Sequence, residues 1–279
     1  MKKLIFVHHS CGEYWLYDGN GGLGKALMEK GYFVSDTNYR WGPEEIGSRT
    51  DIGHWWSWFR GPLSAAYLKE LYNENGKNSS YTRNEDIPEG ENDIIMFKSC
   101  YPNSMLRGDN NEQVPPISDN CICGKSVSSL YTVANVKGIY IDILEYFKTR
   151  QDKLFIVITA PPLRDETYSS NARAFNNWLT HEWLIGYPYK NVRVFDFYNV
   201  MTSNGGSADT NDLNEGTGNH HRVKDGVIQH IIGEPCNILK YQVRENDNHP
   251  GSAGNMKATV EFLSLLDVFY NEWQASLKT

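Results

Sequence analysis

Four bulky apolar residues, Leu4, Ile5, Phe6 and Val7, run without a break and stop abruptly at His8-His9-Ser10-Cys11-Gly12. A run with no polar alternation has no side meant for water. It therefore reads as a strand buried on both faces, the kind found in parallel sheets with helices above and below. In such sheets, chemistry gathers just beyond the carboxyl ends of the strands, and Ser10 stands at that point. A serine there can also do no more than cap the following turn. The rest of the chain has to decide between these roles.

The same pattern recurs along the chain. Residues 93–98 (DIIMFK) break into Ser99-Cys100-Tyr101-Pro102-Asn103, and residues 153–159 (KLFIVIT) stop at Ala160-Pro161-Pro162. Residues 32–35 and 192–197 supply two further strands. Helical spacing of apolar residues falls between them, at 21–31, 63–72, 126–150 and 171–184. A last helix, 253–273, carries an expected core stripe of Met256, Val260, Leu263, Leu266, Tyr270 and Trp273. Strands alternating with helices predict a three-layer α/β/α fold around a mostly parallel five-stranded sheet. The 279 residues are expected to form a single domain, 1–279, with insertions at about 44–91, 105–124 and 198–241. An aromatic knot, His54-Trp55-Trp56-Ser57-Trp58-Phe59, is read as a helix start packed on the sheet or as a wall of a cleft.

Composition narrows the function. The 27 Lys and Arg are outnumbered by 34 Asp and Glu, leaving a net charge of −7. With no basic surplus to displace counterions, nucleic acid is not an expected partner. No apolar run approaches the ~20 residues of a membrane span. Seventeen Tyr and eight Trp amid many Gly and Asn lean toward a carbohydrate ligand. Five cysteines, an odd number with no zinc-like pair spacing, do not form a disulfide framework. Residues 1–7 are too short for a signal peptide, so the expected compartment is the cytoplasm, or outside the cell if a leader preceded Met1. Gly19-Asn20-Gly21-Gly22 lacks the lysine and hydroxyl residue of a phosphate loop and reads as a turn into a helix. His220-His221 falls in an expected lid, where a metal role would need Asp209, Asp212 or His230 as partners. No metal and no organic cofactor are expected.

Chemistry can be assembled from three places: Ser10 after the first strand, Asn103 after the third, and His249 just before the last helix. A serine hydroxyl needs a base to take its proton, and the base needs a partner that fixes its tautomer. Asp247, two residues before His249, is the carboxylate at hand. Here the chain resembles the SGNH (GDSL-like) hydrolase superfamily. The strongest part of the resemblance is Asn246-Asp247-Asn248-His249-Pro250 leading into the last helix, close to that family's closing Asp-x-x-His-Pro. In the nucleophile block only Ser10 is kept. The resemblance implies a flavodoxin-like sheet and a serine esterase, with Ser10 as nucleophile and His249 as base. It maps the oxyanion donors to the Ser10 backbone, Gly42 in Asn38-Tyr39-Arg40-Trp41-Gly42-Pro43, and Asn103. It also implies ester substrates, of which a short acyl group on a carbohydrate suits the composition best. Asp247 stands one residue closer to the histidine than the family's aspartate, whose own position is Asn246, so either could orient the ring. His9, Trp41, Tyr101, His220 and His221 are further expected substrate contacts. A glycan-binding protein with a degraded triad and a metal-assisted phosphoesterase are the alternatives.

Overall fold

The computed structural model describes residues 1–244 and 246–278. At its centre lie β1 (Lys2–Val7), β2 (Tyr32–Thr37), β3 (Ile94–Lys98), β4 (Leu154–Ile158) and β5 (Val192–Phe195). They form one five-stranded sheet in the order β2-β1-β3-β4-β5, and every neighbouring pair is parallel. Successive side chains of a strand point to opposite faces. In β1, Leu4 and Phe6 enter one core while Ile5 and Val7 enter the other. The first core is closed by α1 (Ser10–Leu16), α2 (Leu23–Glu29), α7 (Phe197–Val200) and α8 (Ser252–Ser276). The second is closed by α3 (Ile52–Phe59), α4 (Ser64–Asn73), α5 (Val133–Phe147) and α6 (Ser169–His181). This is the three-layer α/β/α architecture the apolar runs imply. Each fully buried Leu, Ile, Val or Phe contributes about 1.5–3 kcal/mol, which is why the strands carry no polar alternation.

The aromatic knot belongs to the core. Trp55, Trp58 and Phe59 in α3 are buried, with Trp55 edge-on to Phe97 of β3 and its Nε1 donating to Ser99 Oγ at 3.0 Å.

Three expectations need correcting. The helix expected from residue 126 begins at Val133, because the Thr132 hydroxyl accepts the Asn135 N–H at 3.1 Å and caps it there. The stripe on α8 is right in its second half and wrong in its first: Leu266 and Trp273 are buried and Leu263 and Tyr270 pack beside them, but Met256 and Val260 are exposed, and Ala258, Phe262, Leu265 and Phe269 also face the core. The inward face of α8 also holds Lys257 and Glu261, both buried and paired with Asp212 and His220. A stripe judged by hydrophobicity slides past such residues. Finally, the stretch 198–241 is ordered. It includes most of α7 and a hairpin of β6 (Asn219–Lys224) and β7 (Val227–Ile232). The hairpin turns at Asp225-Gly226, both at positive φ (52° and 77°), the backbone that favours Asp-Gly in tight hairpins.

The strand order places the site. From β1 the chain moves to β2 on one side and later to β3 on the other. In such sheets the crevice opens where the order reverses, between the carboxyl ends of β1 and β3. Ser10 lies three residues beyond one of these ends, separated from it only by His8-His9, and Ser99-Cys100-Tyr101 lie beyond the other.

Candidate active site

Ser10 is the first residue of α1, entered through His9 in an extended conformation (φ −127°, ψ −162°). The turn is tight. A Cβ on Gly12 would lie 2.4 Å from the His8 Cβ, so only glycine lets α1 start this close to the strand. His8 is fully buried, and its Nε2 meets Asp36 Oδ2 at 3.1 Å. Burial works against the Asp36 charge, yet His8, the Ser79 hydroxyl and the Asn78 N–H together hold the carboxyl below its usual range. This buried cluster fixes the backbone from which Ser10 projects.

His249 comes from the far end of the chain. Its Nε2 lies 2.9 Å from Ser10 Oγ, and its Nδ1 lies 2.6 Å from Asp247 Oδ1. The same carboxylate oxygen accepts the His249 backbone N–H at 2.9 Å. That N–H, ahead of the imidazole, keeps the Asp247 carboxyl below its ordinary value, with burial opposing. The shorter spacing works because Asn246 adopts the left-handed region (φ 66°), which asparagine tolerates better than most residues. Asp247 meets the imidazole, whereas Asn246 is exposed. Three anchors hold the loop. Asn248 Oδ1 accepts the Arg164 N–H at 2.8 Å, Gly251 N–H donates to the Tyr241 carbonyl at 2.8 Å, and Asn255 Nδ2 donates to the Pro250 carbonyl at 3.1 Å.

Tyrosines surround the pair. Tyr14 and Tyr101 stand edge-on to the His249 ring, at centroid distances of 5.4 and 5.3 Å. The Tyr39 ring stacks on His9 at 4.0 Å; burial raises the proton affinity of its hydroxyl, and the neighbouring Ser10 opposes this. His9 is held by the Gly47 carbonyl (2.7 Å) and the Thr50 hydroxyl (2.9 Å). Burial lowers its affinity for a proton. Cys100 lies under the serine, its Sγ 3.8 Å from Ser10 Oγ.

Of the expected site residues, Ser10, His249, Asp247, His9 and Tyr101 come together; Trp41, His220 and His221 are held elsewhere, and Asn103 and Gly42 bond to residues of the loops around them. Asn103 is buried: its Oδ1 accepts the Ile52 N–H and its Nδ2 donates to Asp51 Oδ1, each at 2.8 Å. It braces the start of α3, and so the loop from which Thr50 grips His9. Gly42 sits at φ 73° where the loop after β2 enters the short 3₁₀ segment Pro43–Ser48. Its carbonyl accepts the Glu45 N–H at 3.1 Å. Trp41 is packed against Trp58 in the core, with Nε1 donating to Glu74. His220 and His221 form no lid; both are buried in β6. His220 bonds Glu261 at 2.6 Å, and His221 Nδ1 accepts the Asp196 N–H at 2.9 Å. Of their expected metal partners, Asp212 pairs with Lys257, and His230, which lies across the hairpin against the His221 ring, pairs with Asp196.

Sequence reading missed Tyr14, Tyr39 and Cys100. Signals for them exist. Tyr14 lies four residues after Ser10 on one helical face, and Tyr39 and Cys100 lie two residues past β2 and β3.

Among the described residues, no group of three or more His, Cys, Asp or Glu side chains is arranged to hold a metal ion, and no helix is long and apolar enough to cross a membrane. Comparison with protein-family models, curated proteins and solved structures gives no match.

Proposed function

We propose that the protein is a serine esterase of the SGNH hydrolase type. The observation that carries this reading is the unbroken line from Asp247 Oδ1 through the His249 ring to Ser10 Oγ, with contacts of 2.6 and 2.9 Å. With Nδ1–H directed at the carboxylate, Nε2 is free to accept the serine proton. Ser10 Oγ then attacks the ester carbonyl, and the proton passes to His249. Asp247 steadies the imidazolium that forms. The tetrahedral intermediate collapses as His249 returns the proton to the departing alcohol oxygen, leaving Ser10 acylated. Water, activated by the same imidazole, releases the acid and restores the serine.

The Ser10 N–H and the Tyr39 hydroxyl, which interacts with Ser10, are the donors this reading assigns to the developing oxyanion. Asn103 gives one Nδ2 proton to Asp51 and accepts the Ile52 N–H at Oδ1, and its second Nδ2 proton is the further donor this reading assigns to the oxyanion beside them. The substrate class follows from the rim. Tyr14 and Tyr39 are 43% and 56% exposed, so flat phenol faces flank the serine, a surface suited to sugar rings. A short acyl ester, such as an acetyl group on a carbohydrate, fits this reading.

Ser10→Ala is expected to abolish hydrolysis of p-nitrophenyl acetate while leaving circular dichroism and melting unchanged. A fluorophosphonate probe should label Ser10 in the native protein. Undiminished turnover by the alanine variant would refute the assignment.

A further inference from the structure

Beside Ser10 the structure holds two thiols that the proposed reaction does not use. Cys100 is partly buried; Cys11, which follows Ser10, is fully buried. They extend from the adjacent strands β1 and β3, which are paired up to Val7 and Phe97. Lys98 is fully buried, and its Nζ bonds the Ser99 carbonyl at 3.2 Å and lies 4.0 Å from Cys100 Sγ. An ammonium group in such a place needs nearby negative charge, and the Cys100 sulfur is the group it faces. Ser10 Oγ lies on the sulfur at 3.8 Å.

The protonation of the pair follows this geometry. Hydrogen bonding from Cys11 holds the Cys100 thiol well below the ordinary thiol range; burial opposes this, and Lys98 assists. Cys11 is pushed well above that range, first by the same hydrogen bond and then by burial. The two thiols are thus shifted in opposite directions, Cys100 toward the thiolate and Cys11 toward the thiol. A partly accessible sulfur beside a buried lysine, its thiol held down by interaction with a second thiol, has the two features of a redox-active cysteine pair.

We propose that Cys100 is a peroxide-reactive site and that Cys11 closes a disulfide onto it, directly beneath Ser10. The oxidant is hydrogen peroxide or an organic hydroperoxide. The Cys100 sulfur attacks one peroxide oxygen, and the O–O bond breaks. Cys100 becomes a sulfenic acid, and hydroxide or alkoxide leaves. The Cys11 sulfur then attacks the Cys100 sulfur and displaces the hydroxyl group, which leaves as water with the Cys11 proton. The sulfur pair has lost two electrons and the peroxide has gained them. A dithiol reductant reverses the change by exchange.

The test is peptide mapping of the intact protein. Reduced protein, freed of reductant, is titrated with hydrogen peroxide. Remaining thiols are blocked with N-ethylmaleimide, and the chain is digested without reduction. The expected product is a linked peptide pair joining Cys11 to Cys100, lost on treatment with dithiothreitol. Cys100 should react about tenfold faster than Cys121, which is exposed. In Cys11→Ser the reaction should stop at a sulfenic acid on Cys100 that dimedone traps. Equal reactivity of Cys100 and Cys121, or oxidation of Cys100 without the Cys11 link in the wild type, would overturn the proposal. The wild-type map decides even if the variant does not fold. Because the readout is a mass, it is independent of whether Ser10 is a catalytic nucleophile.

Discussion

Replacing Asp247 by asparagine isolates the electrostatic part of the proposed mechanism. One carboxylate oxygen, Oδ1, accepts both the His249 backbone N–H at 2.9 Å and Nδ1 at 2.6 Å. Two donors converging there select the carbonyl oxygen of an asparagine for that place, so the tautomer and tilt of the ring are retained. What is lost is charge. For unit charges about 4 Å apart, the interaction is worth about 1 kcal/mol in bulk water and about 4 kcal/mol near a protein surface. The His249 and Asp247 side chains are 22% and 30% exposed, which puts the pair between these limits. A loss of about 2 kcal/mol corresponds to a roughly 30-fold fall in kcat. KM should hardly change, because the imidazolium exists only once the serine proton has moved. Steady-state hydrolysis of p-nitrophenyl acetate measures this, with Ser10→Ala as the zero. A wild-type kcat in Asp247→Asn would refute the charge argument. A loss as complete as that of Ser10→Ala would refute the claim that the oxygen keeps its place.

Other changes probe the same frame. Asn246→Val forces a β-branched residue into φ 66° and should cost about 1–3 kcal/mol of local strain; activity should fall well below that of Asn246→Gly, and equal activities would show that the turn does not set the histidine. Tyr39→Phe removes the hydroxyl that interacts with Ser10. For a partly exposed donor the expected fall in kcat is about tenfold, and an unchanged kcat would remove Tyr39 from the oxyanion site. His221 tests acid stability: burial, and then the neighbouring His230, push its ring down to about 3. The unfolded chain binds a proton at His221 near pH 6.5 and the folded chain does not. Its contribution is therefore complete above pH 6.5 and declines at about 1.4 kcal/mol per pH unit as pH falls toward 3. Urea titrations between pH 7 and 5 should show a smaller loss in His221→Gln than in the wild type; equal losses would contradict that burial.

The parts of the fold legible in sequence were those governed by one dominant force. β1, β3 and β4 are buried on both faces, and a side chain with no contact to water leaves an unbroken apolar run. The inner half of α8 obeys a different rule. Lys257 and Glu261 sit inside because Asp212, Asn219, His220 and the His221 N–H meet them there. Those partners lie 38 to 45 positions away along the chain, so the sequence of the helix alone gives no sign of them. The hairpin of β6 and β7 was hidden in the same way by the polar surroundings of 198–218, although Asp225-Gly226 marked its turn. At the site, Asp247 and His249 share a local turn and were readable together. Trp41 was drawn to the site by its position after β2, but filling the core beside Trp58 claimed it.

The partners of the proposed reaction are held in different ways. Ser10 is fixed by the centre of the fold: β1 is bonded on both sides, His8 is locked to Asp36, and Gly12 admits α1 against the strand. His249 rides on a loop tied by single hydrogen bonds through Asn248, Pro250 and Gly251. A sheet core opens only with global unfolding, whereas a loop on a few bonds opens at a fraction of that free energy. The 2.9 Å contact between Nε2 and Oγ thus depends chiefly on the loop. That asymmetry suits an esterase cycle, in which the histidine must turn from the serine to the leaving oxygen and then to water, while the nucleophile must stay still.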